Sequence, residues 1–357
     1  MWLNKIKLKN FRNYSEVEVI FEKGINYLFG VNGVGKTNLI EAIYYVSNLK
    51  SFRTSDDKNL FKNIKQNINI EARVNDENYE LNINKDKKFL KVDGIDYPKY
   101  RDYIGKVNVI EFYPEEVYLL KDFPKDRRKF LDREISKIDN RYLNDMLIYN
   151  KLIKQRNELL RSDDVYQKQV IEVINDKICD LQIYLINKRK EFLNKLENIV
   201  KKFGVSISEM YDLKFVYECD FKEINKEKMI TEYNLCLEKD KERGVTSLGV
   251  HKEDFKVYIN GNDASNYGSQ GEQRMIILLM KLALVRLVNE ETSKCPILVL
   301  DDMFSELDEN RRKEVYEILK TFKQVFITGC DIRDIDGITK CVSYEIKEND
   351  VKRIKGE

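Results

Sequence analysis

Gly30-Val31-Asn32-Gly33-Val34-Gly35-Lys36-Thr37 meets the G-x-x-x-x-G-K-[ST] pattern at every fixed position. Its flanks agree. Ile25-Asn26-Tyr27-Leu28-Phe29 is a short apolar run of the kind that forms a buried strand, and Asn38 to Asn48 carries Leu39, Ile40, Ala42, Ile43 and Val46 at helical spacing. Strand, loop and helix are the context that a phosphate-binding loop requires. Its glycines permit a tight turn and let backbone N–H groups reach phosphate oxygens that a side chain would hold off. The helix behind adds its positive end. On this reading Gly30, Val31, Asn32, Gly33, Val34 and Gly35 cradle a nucleotide, Lys36 reaches the β- and γ-phosphates, and the Thr37 hydroxyl ligates Mg²⁺.

The loop needs a carboxylate at the end of a neighbouring strand. Pro296-Ile297-Leu298-Val299-Leu300 followed by Asp301-Asp302 supplies one, in the Walker B pattern. Asp301 is placed to hold Mg²⁺ beside Thr37, and Asp302 to polarise an attacking water. An ordinary strand followed by a polar turn would look the same in isolation; the intact phosphate loop gives the pair its meaning.

Composition sets the limits. The chain has 357 residues, 42% hydrophobic and 35% charged, which suits one large or two medium soluble domains. Net charge is only +2, with 63 basic and 61 acidic residues, so a nucleic-acid surface would have to come from local segregation of charge. The six cysteines form no C-x-x-C pair, which leaves zinc and disulfide readings little support and makes reduced thiols in a cytoplasmic protein the expectation. The longest apolar run, Met275 to Val288, is interrupted by Lys281 and Arg286 and is too short to span a bilayer. No membrane role is expected.

Along the chain, the first hundred residues read as strands of period two with the phosphate-loop helix inserted. Leu49 to Lys65 reads as an exposed loop. From Lys125 to Phe203 there is neither proline nor glycine. There the period becomes helical, with Ile171, Ile174, Ile178, Leu181, Leu185, Phe192, Leu196 and Ile199 on one stripe. A helix from Ser162 to Phe203, stopped by Gly204, would be on the order of 60 Å long. Two packed helices and a short antiparallel coiled coil are both compatible with it. Strand character resumes at Leu213 to Tyr217 and at Phe255 to Ile259. The expectation is an α/β fold: an ATPase domain built from residues 1–112 and 205–357, interrupted by an inserted helical lobe at 113–204.

Tyr267-Gly268-Ser269-Gln270-Gly271-Glu272-Gln273-Arg274 stands one helix ahead of the Walker B strand. Ser269 there reads either as a helix N-cap or as part of an anion site. Phosphate loop, S-x-G-x-Q turn, apolar strand with Asp301-Asp302, then Ser305-Glu306-Leu307-Asp308 are together similar to the parts of an ABC-type ATPase head. Within that class the chain resembles the RecF family of bacterial recombination mediators, which are related to SMC heads. The matching pieces include Asn10-Phe11-Arg12-Asn13-Tyr14, Phe112-Tyr113-Pro114-Glu115-Glu116 and Arg127-Arg128-Lys129-Phe130-Leu131-Asp132. The resemblance covers nearly the whole chain.

That resemblance implies a P-loop ABC/SMC-type head that binds ATP and Mg²⁺ and dimerises on ATP, Ser269 and Gly271 of one copy capping the γ-phosphate held by the other. It implies binding to duplex DNA or single-strand/duplex junctions, action with RecO and RecR in loading recombinase, and a slow, DNA-stimulated ATPase in which Lys36 and Asp302 act on the phosphate and the water. An ABC-type ATPase subunit without a DNA role is the alternative. Three departures bear on this. Gly249-Val250-His251-Lys252-Glu253-Asp254 replaces a G-P-H-R-D-D pattern, Thr328-Gly329-Cys330-Asp331 lacks a switch histidine, and Asp302 stands where transporters have glutamate. The last two suggest slow hydrolysis. His251, the only histidine, is either a structural or interface residue or an acid–base group. Lys125, Arg127, Arg128, Lys129, Arg133, Lys137 and Arg141 form a locally basic run, readable as a solvated helix face or as a phosphate-contacting one.

Overall fold

The computed structural model describes residues 1–121, 123–162, 167–203, 212–303, 307, 309–335 and 341–354. The chain forms two compact units: Met1–Glu116 with Phe203–Ile207 and Arg274–Glu357, and Val117–Lys202 with Ser208–Gln273. Gly204, read as a helix stop, and the Ser305, Glu306 and Asp308 positions of the S-E-L-D stretch lie outside the described residues.

The first unit begins with β1 (Leu3–Phe11), β2 (Tyr14–Ile20) and β3 (Gly24–Phe29), then α1 (Lys36–Asn48). β4 (Ile68–Val74), β5 (Glu77–Ile83), β6 (Lys88–Val92), β7 (Ile95–Asp96), α2 (Tyr100–Tyr103) and β8 (Val109–Phe112) follow. Six strands make an antiparallel sheet in the order β2-β1-β4-β5-β6-β7. Its period-two pattern puts Ile6, Leu8, Ile70, Ala72 and Leu81 in the core. On the wet face Lys5 pairs with Glu18, and Lys7 and Lys9 with Glu16.

In the second unit α3 (Tyr118–Lys121) leads to α4 (Pro124–Ile138), which opens on a proline where the missing N–H costs nothing. α5 (Asn140–Leu160) is capped by the Asp139 carboxylate and runs antiparallel to the 34-residue α6 (Gln167–Val200). Arg189 Nε meets the Tyr142 hydroxyl at 2.9 Å, and Arg156 Nε meets Asn175 Oδ1 at 2.8 Å. Every member of the stripe read from the sequence is buried except the half-buried Leu181. α6 is shorter than the Ser162–Phe203 span, about 51 Å at 1.5 Å per residue.

β9 (Leu213–Glu218), α7 (Lys226–Leu235), α8 (Leu237–Arg243), β10 (Asp254–Ile259), β11 (Asn262–Asp263) and α9 (Ala264–Tyr267) complete this unit. The second unit is thus larger than the lobe drawn at 113–204. The sequence reading grouped 205–273 with the ATPase domain, whereas β9, β10 and β11 form a separate three-stranded sheet. That sheet is fastened to α4 by Arg127 gripping Asp254 and by the Phe130–Phe255 ring contact. Alternation marks a strand without saying which sheet it joins.

α10 (Gln270–Thr292) is buried from Met275 to Val285, Lys281 included. Lys281 Nζ reaches Glu116 at 2.5 Å and Glu111 at 3.5 Å. β12 (Ile297–Leu300), α11 (Glu309–Leu319), β13 (Gln324–Gly329), β14 (Cys341–Lys347) and β15 (Asp350–Ile354) close the first unit. Its second sheet runs β15-β14-β3-β13-β12-β8, parallel except for β15. α1 shares one core with both sheets of this unit, Leu39 and Ile43 lying with Ile70, Val109, Val299 and Phe326. That is why α1 is buried from Leu39 to Asn48. The parallel register aligns the carboxyl ends of β3, β13 and β12, the edge at which open α/β sheets bind ligands. Among the described residues no helix is long and apolar enough to cross a membrane.

Candidate nucleotide site

Leaving β3, the chain enters the phosphate loop through Gly30, where φ is +158° and a Cβ would fall 2.5 Å from the Ile346 carbonyl oxygen. Gly35 is equally constrained: φ is +120°, and a Cβ would meet the Asn13 amide at 2.6 Å. Only glycine fits either place. Two neighbours from the β1–β2 corner fix the loop's far side. Asn13 Nδ2 donates to the Val34 carbonyl at 2.7 Å, and the Tyr14 hydroxyl to the Gly35 carbonyl at 3.0 Å. Asn38 Nδ2 in turn donates to Asn13 Oδ1 at 2.8 Å, and Arg53 to Asn38 Oδ1 at 2.9 Å. Residue-by-residue reading gave Asn13 and Tyr14 no task; the only signal was their place in the Asn10–Tyr14 stretch. Arg12 joins this web through the buried Glu41, which it grips at 2.7 and 2.9 Å and which Arg53 also approaches at 3.6 Å.

Val31, Asn32 and Gly33 at the loop tip are exposed. Lys36 Nζ folds back on the loop, donating to the Gly30 and Val31 carbonyls at 2.6 and 3.1 Å. Thr37 Oγ1 lies 3.3 Å from Asp301 Oδ1. The chain ends that supply these two residues therefore do meet. Asp301 is 8% exposed, and burial lifts its carboxyl above the usual range, opposed by the hydroxyl bonds from Thr328 and Thr37. A buried carboxylate facing a hydroxyl is a hard, all-oxygen donor set, which fits Mg²⁺ held together with substrate phosphates. Asp302, exposed, takes the left-handed backbone conformation with φ at +46°.

A cleft of about 750 Å³ opens beside the loop, lined by Asn13, Gly30 to Val34, the Cys330–Ile332 turn and Glu345 to Glu348. Cys330, two residues past Thr328, is exposed and its thiol donates to Asn32 Oδ1 at 3.1 Å.

Ser269 and Gly271 belong to the second unit, where Ser269, Gln270 and Gly271 are all exposed at the start of α10. Ser269 and Glu272 form a capping box. The Ser269 amide and hydroxyl donate to Glu272 Oε2 at 2.8 and 2.7 Å, and the Glu272 amide donates to Ser269 Oγ at 3.3 Å. The N-cap reading of Ser269 is met, and it leaves the turn open to solvent.

His251 is a structural residue. Its Nε2 must carry the proton, because it faces the Thr246 carbonyl at 3.2 Å, so Nδ1 accepts from the Tyr149 hydroxyl at 2.6 Å. Burial lowers its pKa to about 4. Six members of the basic run, all but Lys125, have partners inside the second unit. Arg127 holds Asp254, Arg128 donates to the Lys252 and Glu253 carbonyls at 3.0 and 2.9 Å, and Arg133 and Lys137 share Glu134 at 2.6 and 3.0 Å. Lys129 pairs with Asp126 and Arg141 with Asp145. Counting like charges along a helix had missed these carboxylates.

Comparison with known proteins places this geometry. The family model for the RecF/RecN/SMC N-terminal domain matches residues 2–98. The curated DNA replication and repair protein RecF of Streptococcus pneumoniae is 34% identical over 352 residues, 96% of each chain. Two solved structures of the recombination mediator protein RecF in the RecFOR pathway, described as RecF-ATPrS and RecF-ATP, superpose with TM-scores of 0.87 and 0.88. Each is 32% identical, over 99% of this chain and 98% of the other. A crystallised Smc head domain from Pyrococcus furiosus shares the fold at 14% identity and a TM-score of 0.56, covering 99% of this chain and 96% of its own. The fold is therefore an α/β head of the P-loop, SMC type. The chain belongs to the RecF family of DNA replication and repair proteins.

Proposed function

We propose that the protein is an ATP-dependent DNA clamp of recombinational repair, which dimerises on ATP and DNA and helps load recombinase at single-strand gaps. The observation that carries the reading is the meeting of Thr37 with Asp301 beneath an intact phosphate loop, in a chain of the RecF family. Gly30 to Gly35 wrap the phosphates with backbone N–H groups. Lys36 leaves the Gly30 and Val31 carbonyls for the β- and γ-phosphates, while Thr37 and Asp301 hold Mg²⁺. When bound, Mg²⁺ neutralises charge developing on the phosphate oxygens. Asp302 orients the attacking water. The exposed Ser269–Gly271 turn of a second copy caps the γ-phosphate, so ATP stabilises the dimer by mass action and hydrolysis releases it. Asp302 is one methylene shorter than glutamate and Cys330 stands where a switch histidine would be expected; both features support slow turnover, and stimulation by DNA belongs to the same reading. RecO and RecR are the expected partners, as the RecFOR relatives suggest, and the cytoplasm the expected site.

Sedimentation with ATP, ADP or neither, each with and without duplex or gapped DNA, tests this reading. A dimer that forms only with ATP and tightens on DNA is the expected result. ATP turnover with no DNA effect on assembly or rate would favour an ABC-type ATPase without a DNA role.

A further inference from the structure

We infer that Thr328 is a positioning residue for the Asp301 carboxylate and the Asp302 backbone, setting the Mg²⁺ affinity of the site through a single hydroxyl. β13 lies between β3, which leads into the phosphate loop, and β12, which leads into Asp301. Thr328 pairs with Leu28 of β3, one residue beyond the Leu300–Ile327 pairing with β12, so it stands at the edge where both loops leave the sheet. It is 1% exposed. Its Oγ1 donates to Asp301 Oδ1 at 2.6 Å and accepts the Asp302 backbone N–H at 2.9 Å. A hydroxyl has one proton. Spending it on the Asp301 carboxylate leaves a lone pair for the Asp302 amide, so the two bonds are complementary in direction.

The two bonds do different things. The first holds Asp301 Oδ1 in place whether or not Thr37, 3.3 Å from the same oxygen, turns toward a cation. The second helps hold the Asp302 backbone in its left-handed conformation, which aspartate tolerates better than most residues but which is still uncommon outside glycine. Threonine suits the position twice over, since its β-branched shape fits a buried central strand while its oxygen faces the acids. The inference rests on the nucleotide reading above and names a residue that the phosphate-loop and Walker B patterns do not contain.

The test compares Thr328→Val, which keeps the shape and removes the hydroxyl, with Thr328→Ser, which keeps the hydroxyl. Asp301→Asn serves as the control. Binding of a fluorescent ATP analogue is titrated against Mg²⁺. Removing a group that orients a metal ligand costs about 10- to 100-fold in metal affinity, so Thr328→Val should need at least about tenfold more Mg²⁺ at half-saturation. Its Mg²⁺-free nucleotide binding should be unchanged, and Thr328→Ser should behave as the parent protein. Melting curves accompany each variant; if valine unfolds the protein, Thr328→Ala carries the same comparison. An unshifted Mg²⁺ requirement in the hydroxyl-less variant, with Asp301→Asn shifted, overturns the inference and leaves the nucleotide reading intact. Equal loss in the serine variant also overturns it. Absence of Mg²⁺-dependent binding in the parent protein overturns the nucleotide reading instead.

Discussion

Lys36 Nζ donates to the Gly30 carbonyl oxygen at 2.6 Å, so the ammonium lies across the loop that presents it. The loop supplies its own temporary counter-dipole, and a triphosphate has to compete for the lysine. Exchange favours the phosphate because its oxygens carry negative charge, whereas in the bonds to the carbonyls only the donor is ionised. Lys36→Ala should therefore lose about 100-fold or more in ATP affinity, corresponding to about 3 kcal/mol. The nucleotide-free fold should lose only about 1 kcal/mol, since the bonds removed are partly solvent-exposed. Isothermal titration and a urea melt on the same variant measure both. A large stability loss with intact binding would make the lysine a structural strut.

Asp302 poses a separate question, because its backbone is left-handed and its side chain is exposed. Asparagine tolerates that backbone as well as aspartate does. Asp302→Asn should thus fold normally and bind ATP with unchanged affinity, while turnover falls about 100-fold, within the range ascribed to a positioned base. Sedimentation should find it trapped as the ATP dimer. Hydrolysis at the parent rate would remove Asp302 from the chemistry.

These two residues were legible in the sequence because each sits in a motif whose members are adjacent in the chain. So were the strands and the seam of α6, since periodicity is local. Long-range partners were not. Arg127 and Asp254 are 127 positions apart, and nothing in the basic run announces that its arginines fold onto β10. Thr328 lies 27 positions from Asp301, in a strand whose pattern reads only as apolar. The boundary of the second unit escaped for the same reason, because β9, β10 and β11 carry ordinary strand signals. Asn13 and Tyr14 show the intermediate case: a recognisable stretch, without a task until the loop carbonyls are beside it.

Arg156 and Asp240 are both fully buried, 2.8 Å apart, in the second unit. The guanidinium also reaches Asn175 at 2.8 Å and Thr246 at 2.9 Å, tying α5 to α6, to α8 and to the segment before His251. Breaking such a pair leaves a buried charge, so Arg156→Met should cost about 3–5 kcal/mol. Replacing both partners removes the stranded charge, and Arg156→Met with Asp240→Leu should recover a large part of that loss. Urea denaturation of the single and double variants, analysed as a cycle, decides it. Additive losses would show that the pair contributes nothing as a pair.

His251 gives the second unit a pH dependence with a definite sign. The neutral ring satisfies the Tyr149 hydroxyl and the Thr246 carbonyl, while burial, with Lys252, Arg128 and Arg156 nearby, opposes a positive charge and lowers the pKa from 6.5 to about 4. Between those two values the unfolded chain binds a proton and the folded one does not, so this residue's contribution to stability falls as pH drops from about 6.5 to about 4 and is constant above that window. At about 1.4 kcal/mol per pH unit the full loss is on the order of 3 kcal/mol. Glutamine keeps one acceptor and one donor in nearly the same places without titrating. His251→Gln should therefore match the parent protein near pH 7.5 and exceed it progressively toward pH 4, seen as a shallower slope of urea midpoint against pH. An equally steep slope in the variant would assign the acid sensitivity to other groups and leave His251 as a packing residue only.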